Sequence, residues 1–378
     1  MKPDIATSMT NGERGTPVAW ALPASSWRWR LAAVMVLLAL AVAALRATRS
    51  PILAAARRAA AEWHVPPSLL LAMAFTESRL SLSSGDAAQS GLIRLMSWRR
   101  SRSMVRAAEL LHTSPDRLQG DMQRSFEGAA ALLADAAAQT GVAATAPLAD
   151  WGPALRAFNG AGDPLADALY AEDVLAQVSA GFRGVDDSGR RIELGAQSTW
   201  PRMAAVLPTR NAPPEVVGAD FAAWLPASPA AQRPPHAAGP RPVRFIVIHT
   251  TELPFSSSVA YFRRPTTAVA AHYLVRASDG AVVQLVDEGM VAFHDACFND
   301  ESIGVEHEGF VAAGRRWYSD ELYRASARLV REIARRHGIP LDRAHVLGHG
   351  ETPDCSEHVD PGPDWDWDRY MRYLQGPA

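Results

Sequence analysis

The feature that most constrains this chain is a cluster of possible metal ligands near its C-terminal end. His349, His358 and Asp360 lie within the stretch HVLGHGETPDCSEHVDPGPDWDW, which begins at residue 345. Far upstream, the apolar run FIVIH ends at His249. A catalytic zinc ion takes three nitrogen or oxygen ligands, leaves its fourth position to water and has a proton-handling group nearby. The sequence therefore predicts a zinc hydrolase.

Length and composition define the broad class of protein. The chain has 378 residues, which is more than one hydrophobic core usually holds, so we expect two folded units with connecting segments. Its 48% hydrophobic and 21% charged residues exclude a disordered or wholly membrane-embedded protein. The formal net charge of -2 argues against a general nucleic-acid binder.

The N-terminal region predicts export. After a tail at residues 1–30 comes the uncharged run LAAVMVLLALAVAAL at residues 31–45, preceded by Arg28 and Arg30. The run is shorter than the ~20 residues that comfortably span a bilayer, yet its leader is long for a signal peptide. Signal peptide and membrane anchor therefore both stay open, and a buried globular helix is the alternative. Export places the folded part in the cell envelope, in the periplasm or outside the cell.

Residues 50–184 have the pattern of a small all-α domain, with apolar helical segments separated by Gly, Pro and Ser. Glu77 ends the apolar segment LLLAMAFTES. Burial there would raise the pKa of its carboxyl group, as the general acid of a glycosidase requires. The alternative is an ordinary polar residue at a helix end.

The order of the motifs in this region resembles the lysozyme-like fold of lytic transglycosylases. Glu77 and Ser78 match the Glu-Ser pair of that family, and Asn159-Gly160-Ala161 matches its Asn-Ala-Gly motif. The segment Gly91-Leu92-Ile93-Arg94 corresponds to its Gly-Leu-Met-Gln motif, with Arg94 in place of glutamine. The resemblance implies a possible second active site at Glu77, or a degenerate domain that still binds a glycan strand.

Residues 185–240 form a proline-rich connector, and residues 241–375 an α/β domain. The run FIVIH predicts a buried strand, and AHYLVRASDGAVVQLVD predicts a hairpin that turns at Asp279-Gly280. DELYRASARLVREIARRHG predicts an amphipathic helix, and HVLGH a last strand. The expected fold is thus an all-α lysozyme-like domain followed by an α/β domain with a mixed central sheet flanked by helices.

Three residues of the α/β domain are candidate metal ligands on sequence grounds alone. His249 and His349 both end apolar strands, where an unpaired imidazole would be costly to bury. Asp360, which is followed by Pro361 and Gly362, either binds the metal or opens a turn.

Further candidates are general acids, bases or oxyanion-stabilising groups. His358 lies two residues before Asp360, so in an extended segment it would project to the same side, near the metal. Glu306 and Glu308 alternate in GVEHEG, and either could activate water as a general base. Two exposed strand carboxylates are the alternative.

From residue 244 to residue 373 the chain resembles the zinc-dependent type 2 N-acetylmuramoyl-L-alanine amidases, whose fold peptidoglycan recognition proteins share. The matching segments are VIHTTE, AVAAHYLV, ESIGVEHEG, the GH of VLGHGE, and HVDPGPDWDW. The resemblance implies that His249, His349 and Asp360 bind Zn²⁺. It also implies pocket positions, and so substrate contacts, for His272 and His294.

The same resemblance implies a reaction. Zinc lowers the pKa of its bound water and polarises the substrate carbonyl. Glu306 would accept the proton, and His358, a position that some members fill with lysine, would stabilise the oxyanion. The substrate would be the amide between N-acetylmuramic acid and L-alanine in peptidoglycan, and we expect a monomer. The alternatives are a non-catalytic peptidoglycan-binding protein and a bifunctional lysin that also cleaves glycan through Glu77.

The chain has two cysteines, Cys297 and Cys355, and no CxxC pair. This count does not indicate a thiolate zinc site or a disulfide-rich scaffold. Because we expect export, we predict that the two cysteines form one disulfide. The alternative is that Cys355 binds the zinc ion, although Asp360 fits the motif better.

Overall fold

A computed structural model describes residues 50–81, 102–118, 121–199, 206–208, 211–236, 241–352 and 357–376, together with residues 31, 32, 34 and 35. Of the predicted export segment at residues 31–45, only residues 31, 32, 34 and 35 are described, and the Gly91–Arg94 motif lies outside the described residues. Among the residues described, no helix has the length and apolar character needed to cross a membrane.

Six α-helices occupy residues 51–180 of the described chain. They are α1 (Pro51–Trp63), α2 (Pro67–Ser78), α3 (Arg102–Leu110), α4 (Met122–Thr140), α5 (Gly152–Asn159) and α6 (Pro164–Ala180). Their ends follow local chemistry: α1, α2 and α6 begin at a proline, and the Asp121 and Asp163 carboxylates accept backbone N–H groups at the starts of α4 and α6. Helix α2 is apolar on nearly all sides and is the buried centre of this helical part.

Four short strands separate the helices from the rest of the chain. Strands β1 (Phe182–Val185) and β2 (Arg191–Leu194) form an antiparallel hairpin. Strands β3 (Ala223–Trp224) and β4 (Gln232–Arg233) lie in the predicted connector, yet each pairs with a later strand.

The α/β part contains the predicted mixed sheet. Its strands are β5 (Phe245–Thr250), β6 (Tyr273–Val275), β7 (Val282–Gln284), β8 (Val291–Ala292), β9 (Ser302–His307) and β10 (Val346–Gly348). The six-stranded sheet has the order β10-β5-β9-β6-β7-β3, in which only the β6–β7 pair is antiparallel among the described strands. The β6–β7 hairpin turns at Asp279-Gly280, as predicted, with Gly280 at a φ of 72°.

Four helices accompany this sheet within the described residues: α7 (Phe255–Arg263), α8 (Gly314–Trp317), α9 (Asp320–His337) and α10 (Trp367–Gln375). Helix α9 is the predicted amphipathic helix. It buries Leu322, Leu329 and Ile333, and it ends at Gly338 in the left-handed conformation. Its apolar stripe covers one face of the sheet.

The helical and α/β parts belong to one compact unit, Ser50–Ala378. Ala166 and Leu169 of α6 pack in the same apolar cluster as Phe255 and Val259 of α7. The α/β part thus completes one of its cores with residues from the helical part.

Candidate metal centre and active site

Three predicted ligands converge in the structure. His249 Nδ1 lies 3.0 Å from His349 Nδ1. The Asp360 carboxylate approaches both rings, at 3.3 Å from His249 Nδ1 and 3.1 Å from His349 Nδ1. All three side chains belong to buried residues, and among the described residues they are the one His, Cys, Asp or Glu group that could hold a metal ion.

Sheet topology explains this convergence. His249 lies near the carboxyl end of β5, and His349 directly follows β10, the parallel neighbour of β5, so the two residues meet at one edge of the sheet. Asp360 comes from the loop before α10. The backbone N–H of Thr250 donates to its Oδ2 at 3.2 Å, which fixes the carboxylate beside the histidines.

The donor set fits zinc. Zinc–ligand distances of about 2.0–2.1 Å in a tetrahedron place neighbouring ligand atoms about 3.3 Å apart. The separations of 3.0, 3.1 and 3.3 Å among the three side chains lie at or slightly below this value. Two imidazole nitrogens 3.0 Å apart need a proton or a cation between them, because their lone pairs would otherwise repel.

The electrostatics of the cluster favour a cation. Burial lowers the pKa of His249, which keeps its ring neutral. Burial alone would raise the pKa of Asp360, but the neighbouring His249 and His349 rings hold it well below its usual range. Burial alone would lower the pKa of His349, yet Asp295 and Asp360 raise it to about 9. The two carboxylates therefore attract positive charge to this position.

Glu306 lies beside the cluster. It is paired with His249 in the parallel β5–β9 register, so both side chains project from the same face of the sheet. Its Oε2 is buried and has no hydrogen-bond partner. Burial, with a contribution from the negative charge of Asp360, raises the pKa of Glu306 to about 8. An unpartnered carboxylate with a raised pKa is suited to accept a proton.

Glu308, the alternative base, has a structural role instead. Its Oε1 accepts the N–H of Phe255 at 2.9 Å, and its Oε2 accepts the N–H of Ala277 at 2.7 Å. Arg79 of the helical part lies 4.0 Å from the same carboxylate. Glu308 therefore ties backbone segments together, and the structure does not bring it to the ligands.

His358 lies over the cluster on its solvent side. Its ring stacks on that of His349 with centroids 4.2 Å apart, and its Nδ1 is 3.6 Å from Asp360 Oδ1. The side chain is 64% exposed. It is therefore near the ligands and accessible to a bound substrate.

Two neighbouring residues lie behind the histidine ligands. His294 Nδ1 is 3.0 Å from His249 Nε2, and Asp295 Oδ1 is 3.3 Å from His349 Nε2. Burial lowers the pKa of His294 well below its usual value. Asp295 is not among the residues predicted from the sequence, where its one signal is its position next to a histidine in AFHDACFND.

His272 does not reach the pocket, although the family resemblance implies a pocket position for it. It is fully buried. Its Nδ1 accepts the N–H of Gly304 at 3.1 Å, and its Nε2 lies 3.2 Å from the Met290 carbonyl. Burial lowers its pKa to about 3. Both ring nitrogens bind the backbone, so the structure gives His272 a scaffolding role.

Glu77, the predicted second catalytic residue, is buried in the helical part. The residue is 3% exposed, and its Oε1 accepts the hydroxyl of Tyr170 at 2.7 Å. Burial, together with the charge of Glu77, raises the pKa of Tyr170 well above its usual value. The carboxylate thus binds α2 to α6 inside the helical core. The lysozyme-like resemblance of this part stays a prediction.

Cys297 is disulfide-bonded, as predicted. Cys355 is the only other cysteine of the sequence, and it lies outside the described residues. Cys297 belongs to the short 3-10 helix Ala296–Glu301, directly after His294 and Asp295.

The cluster opens into a pocket of about 1160 Å³. The pocket is lined by the three ligands, by Glu306 and His358, and by apolar side chains that include Phe262, Val269 and Val359. Val359 is 70% exposed at its rim. A pocket lined by both polar and apolar side chains suits a ligand that combines an amide with carbon-rich groups.

Comparisons with known proteins point to one family. Residues 239–363 match Amidase_2, N-acetylmuramoyl-L-alanine amidase. N-acetylmuramoyl-L-alanine amidase A of Achromobacter lyticus is 33% identical over 147 residues, which cover 35% of this chain and 82% of that protein.

The 1,6-anhydro-N-acetylmuramyl-L-alanine amidase AmpD of Salmonella typhimurium is 34% identical over 127 residues, which cover 31% of this chain and 60% of that protein. The chain thus spans less than two thirds of the length of this second relative. This chain is similar to the crystal structure of an AmpD selenomethionine derivative, with 24% sequence identity, coverage of 40% of this chain and 94% of that chain, and a TM-score of 0.31.

Proposed function

Because this chain belongs to the N-acetylmuramoyl-L-alanine amidase family and is an enzyme of that class, we propose that it hydrolyses the amide between N-acetylmuramic acid and L-alanine with the help of Zn²⁺. His249, His349 and Asp360 would hold the ion. The observation that carries this proposal is the convergence of these three donors at 3.0 to 3.3 Å beside the unpartnered carboxylate of Glu306.

When bound, zinc would lower the pKa of a water molecule and polarise the carbonyl of the scissile amide. Glu306 would accept a proton from the attacking water, since its Oε2 has no other partner and its raised pKa strengthens it as a base. The same carboxyl group, once protonated, can return the proton to the leaving amine of L-alanine.

His358 would act on the substrate oxygen. Stacking on His349 and proximity to Asp360 hold its imidazole over the cluster while leaving it exposed. From this position a ring N–H can donate to the oxyanion of the tetrahedral intermediate, which is the step where charge develops.

The pocket supports peptidoglycan as substrate. Its apolar lining residues Phe262, Val269 and Val359 offer contact area for the sugar and stem peptide on either side of the amide. The family relation and the predicted export segment lead us to place the enzyme in the cell envelope.

The test is digestion of purified peptidoglycan by the zinc-loaded full chain, with and without a chelator, followed by mass analysis of the products. We expect chelator-sensitive release of intact stem peptides. Glu306→Gln should lose activity by a factor of about 10² to 10⁴ while retaining zinc. The matched control is Glu321→Gln, at an exposed glutamate on α9, which should leave both unchanged.

Two outcomes would contradict the proposal. Tight binding to the sacculus without release of stem peptides, at full zinc occupancy, would make the protein a recognition module. Full activity after exhaustive removal of metal would show that the reaction does not depend on zinc.

A further inference from the structure

One loop supports both histidine ligands from behind. It runs from His294 to Glu301, between β8 and β9, and Ser302 is the first residue of β9. His249 Nε2 lies 3.0 Å from His294 Nδ1, and His349 Nε2 lies 3.3 Å from Asp295 Oδ1. In both histidines Nδ1 faces Asp360. The contact with the loop is therefore made by the other ring nitrogen, Nε2.

The hydrogen bonds of Ser302 determine which nitrogen of His294 carries a proton. The Ser302 hydroxyl donates to the carbonyl oxygen of Phe298 at 2.7 Å. A carbonyl oxygen only accepts, so the single hydroxyl proton is committed there. Ser302 Oγ also lies 3.2 Å from His294 Nε2. The oxygen must accept in this contact, and His294 Nε2 therefore carries a proton.

The same reasoning continues to the ligand. A neutral His294 with its proton on Nε2 has a bare Nδ1, which can only accept. His249 Nε2 must then carry a proton and donate it across the 3.0 Å contact. His249 Nδ1 is left with a free lone pair, directed at the position shared with His349 Nδ1 and the Asp360 carboxylate.

We propose that His294, oriented by Ser302, is a positioning residue that holds His249 in the tautomer with a bare Nδ1, and that Asp295 places its negative charge beside Nε2 of His349. The inference rests on the proposed metal site. It assigns to His294 a role other than the substrate contact that the family resemblance implies, because its ring is bound on both nitrogens by protein groups. For His349 the contact is electrostatic, since Nε2 and Asp295 Oδ1 are 3.3 Å apart but outside hydrogen-bonding geometry.

The loop is built to hold these two side chains in place. The Asn299 Oδ1 accepts the backbone N–H groups of both His294 and Asp295, at 2.9 and 2.7 Å. Strand β9 makes room for the imidazole at Gly304, where a Cβ atom would lie 2.6 Å from His294 Cγ. A side chain at residue 304 would therefore displace the ring.

The experiment measures zinc affinity and ring tautomers in the full chain. Zinc is titrated into metal-free protein in competition with a chromophoric chelator, and long-range ¹H–¹⁵N correlations report the protonated nitrogen of His249 in the metal-free state. His294→Leu should weaken zinc binding by about 10- to 100-fold and leave His249 as a mixture of tautomers. His294→Gln, whose amide can donate to Ser302 and accept from His249, should retain most of the affinity.

The control is His236→Leu, the same substitution at an exposed histidine outside the site, which should change neither readout. If His294→Leu fails to fold by circular dichroism, Ser302→Ala removes only the hydroxyl and should still produce mixed tautomers at His249.

The outcomes separate this inference from the proposed function. If the wild-type chain bound no zinc, the proposed metal site itself would be refuted. Wild-type zinc affinity in His294→Leu, or an unchanged His249 tautomer in Ser302→Ala, would overturn the positioning role alone. A raised KM in His294→Leu with unchanged zinc affinity would make His294 a substrate contact and would also overturn it.

Discussion

Replacing Glu288 with glutamine should destabilise the protein in a pH-dependent manner. The Glu288 side chain is 0% exposed and accepts three partners: the Tyr273 hydroxyl at 2.5 Å, Arg336 at 2.5 and 3.0 Å, and His337 Nε2 at 2.7 Å. Burial alone would raise the pKa of Glu288, but His337, Arg336 and Tyr273 lower it from 4.5 to about 2. The carboxylate thus fastens the end of α9 to β6.

The sign and size of the effect follow from this pKa. Because the folded value lies below the unfolded one, the carboxylate stabilises the folded state above pH 4.5, and this contribution is lost as the pH falls toward 2. A drop from 4.5 to about 2 corresponds to about 3 kcal/mol at pH 7. At pH 3 the same linkage predicts that the carboxylate still stabilises the folded state by about 1.5 kcal/mol.

The assay is urea unfolding of metal-free wild type and Glu288→Gln, followed by circular dichroism at pH 7, 5, 4 and 3. The free energy of unfolding should differ by about 3 kcal/mol at pH 7, and this difference should shrink by about half at pH 3. Glu332→Gln, at a half-exposed partner of Arg336, should cost less than about 1 kcal/mol. A Glu288→Gln difference that stays constant between pH 7 and pH 3 would refute the reasoning.

Three further predictions concern the site and the helical part. Gly304→Ala should weaken zinc binding without removing any ligand, because its Cβ would push the His294 ring away; a chelator titration that matches wild type would contradict this. His358→Ala should lower kcat by about 10²-fold at unchanged zinc affinity, and His358→Lys should recover part of it, as measured by stem-peptide release. Glu77→Gln should lower the melting temperature, because it weakens the bond with Tyr170, yet leave stem-peptide release unchanged; the appearance of cut glycan in wild type and its loss in this variant would restore Glu77 as a catalytic residue.

Long periodic segments of the fold could be predicted from the sequence. The apolar run of β5 and the 3.6-residue periodicity of α9 each commit several side chains to one environment, so the pattern identifies the element. Strands β3 and β4 have two residues each, too few to establish any period. They exist because β7 and β8 offer unpaired backbone groups, which is a property of the tertiary structure.

Some residues of the candidate site could likewise be predicted from the sequence, and others could not. His249, His349 and Asp360 could be predicted because metal ligands need particular residue types at strand ends and nearby loops. Asp295 could not, since its role depends on the proximity of His349 Nε2 in the folded chain. The pattern AHYLV placed His272 near the site but carried no information on its ring nitrogens, which Gly304 and Met290 occupy.

The two glutamates of GVEHEG show why the helical part matters to the site. Two residues apart, they would share one face of an ideal strand, but β9 ends at His307 and Glu308 turns away. Its carboxylate binds the backbone of Phe255 and Ala277 and approaches Arg79, which also lies over the Trp317 ring at 4.3 Å. Arg79 follows the last residue of α2. The helical part therefore holds the end of the strand that carries Glu306, which gives it a physical link to the proposed catalytic base independent of any glycan chemistry of its own.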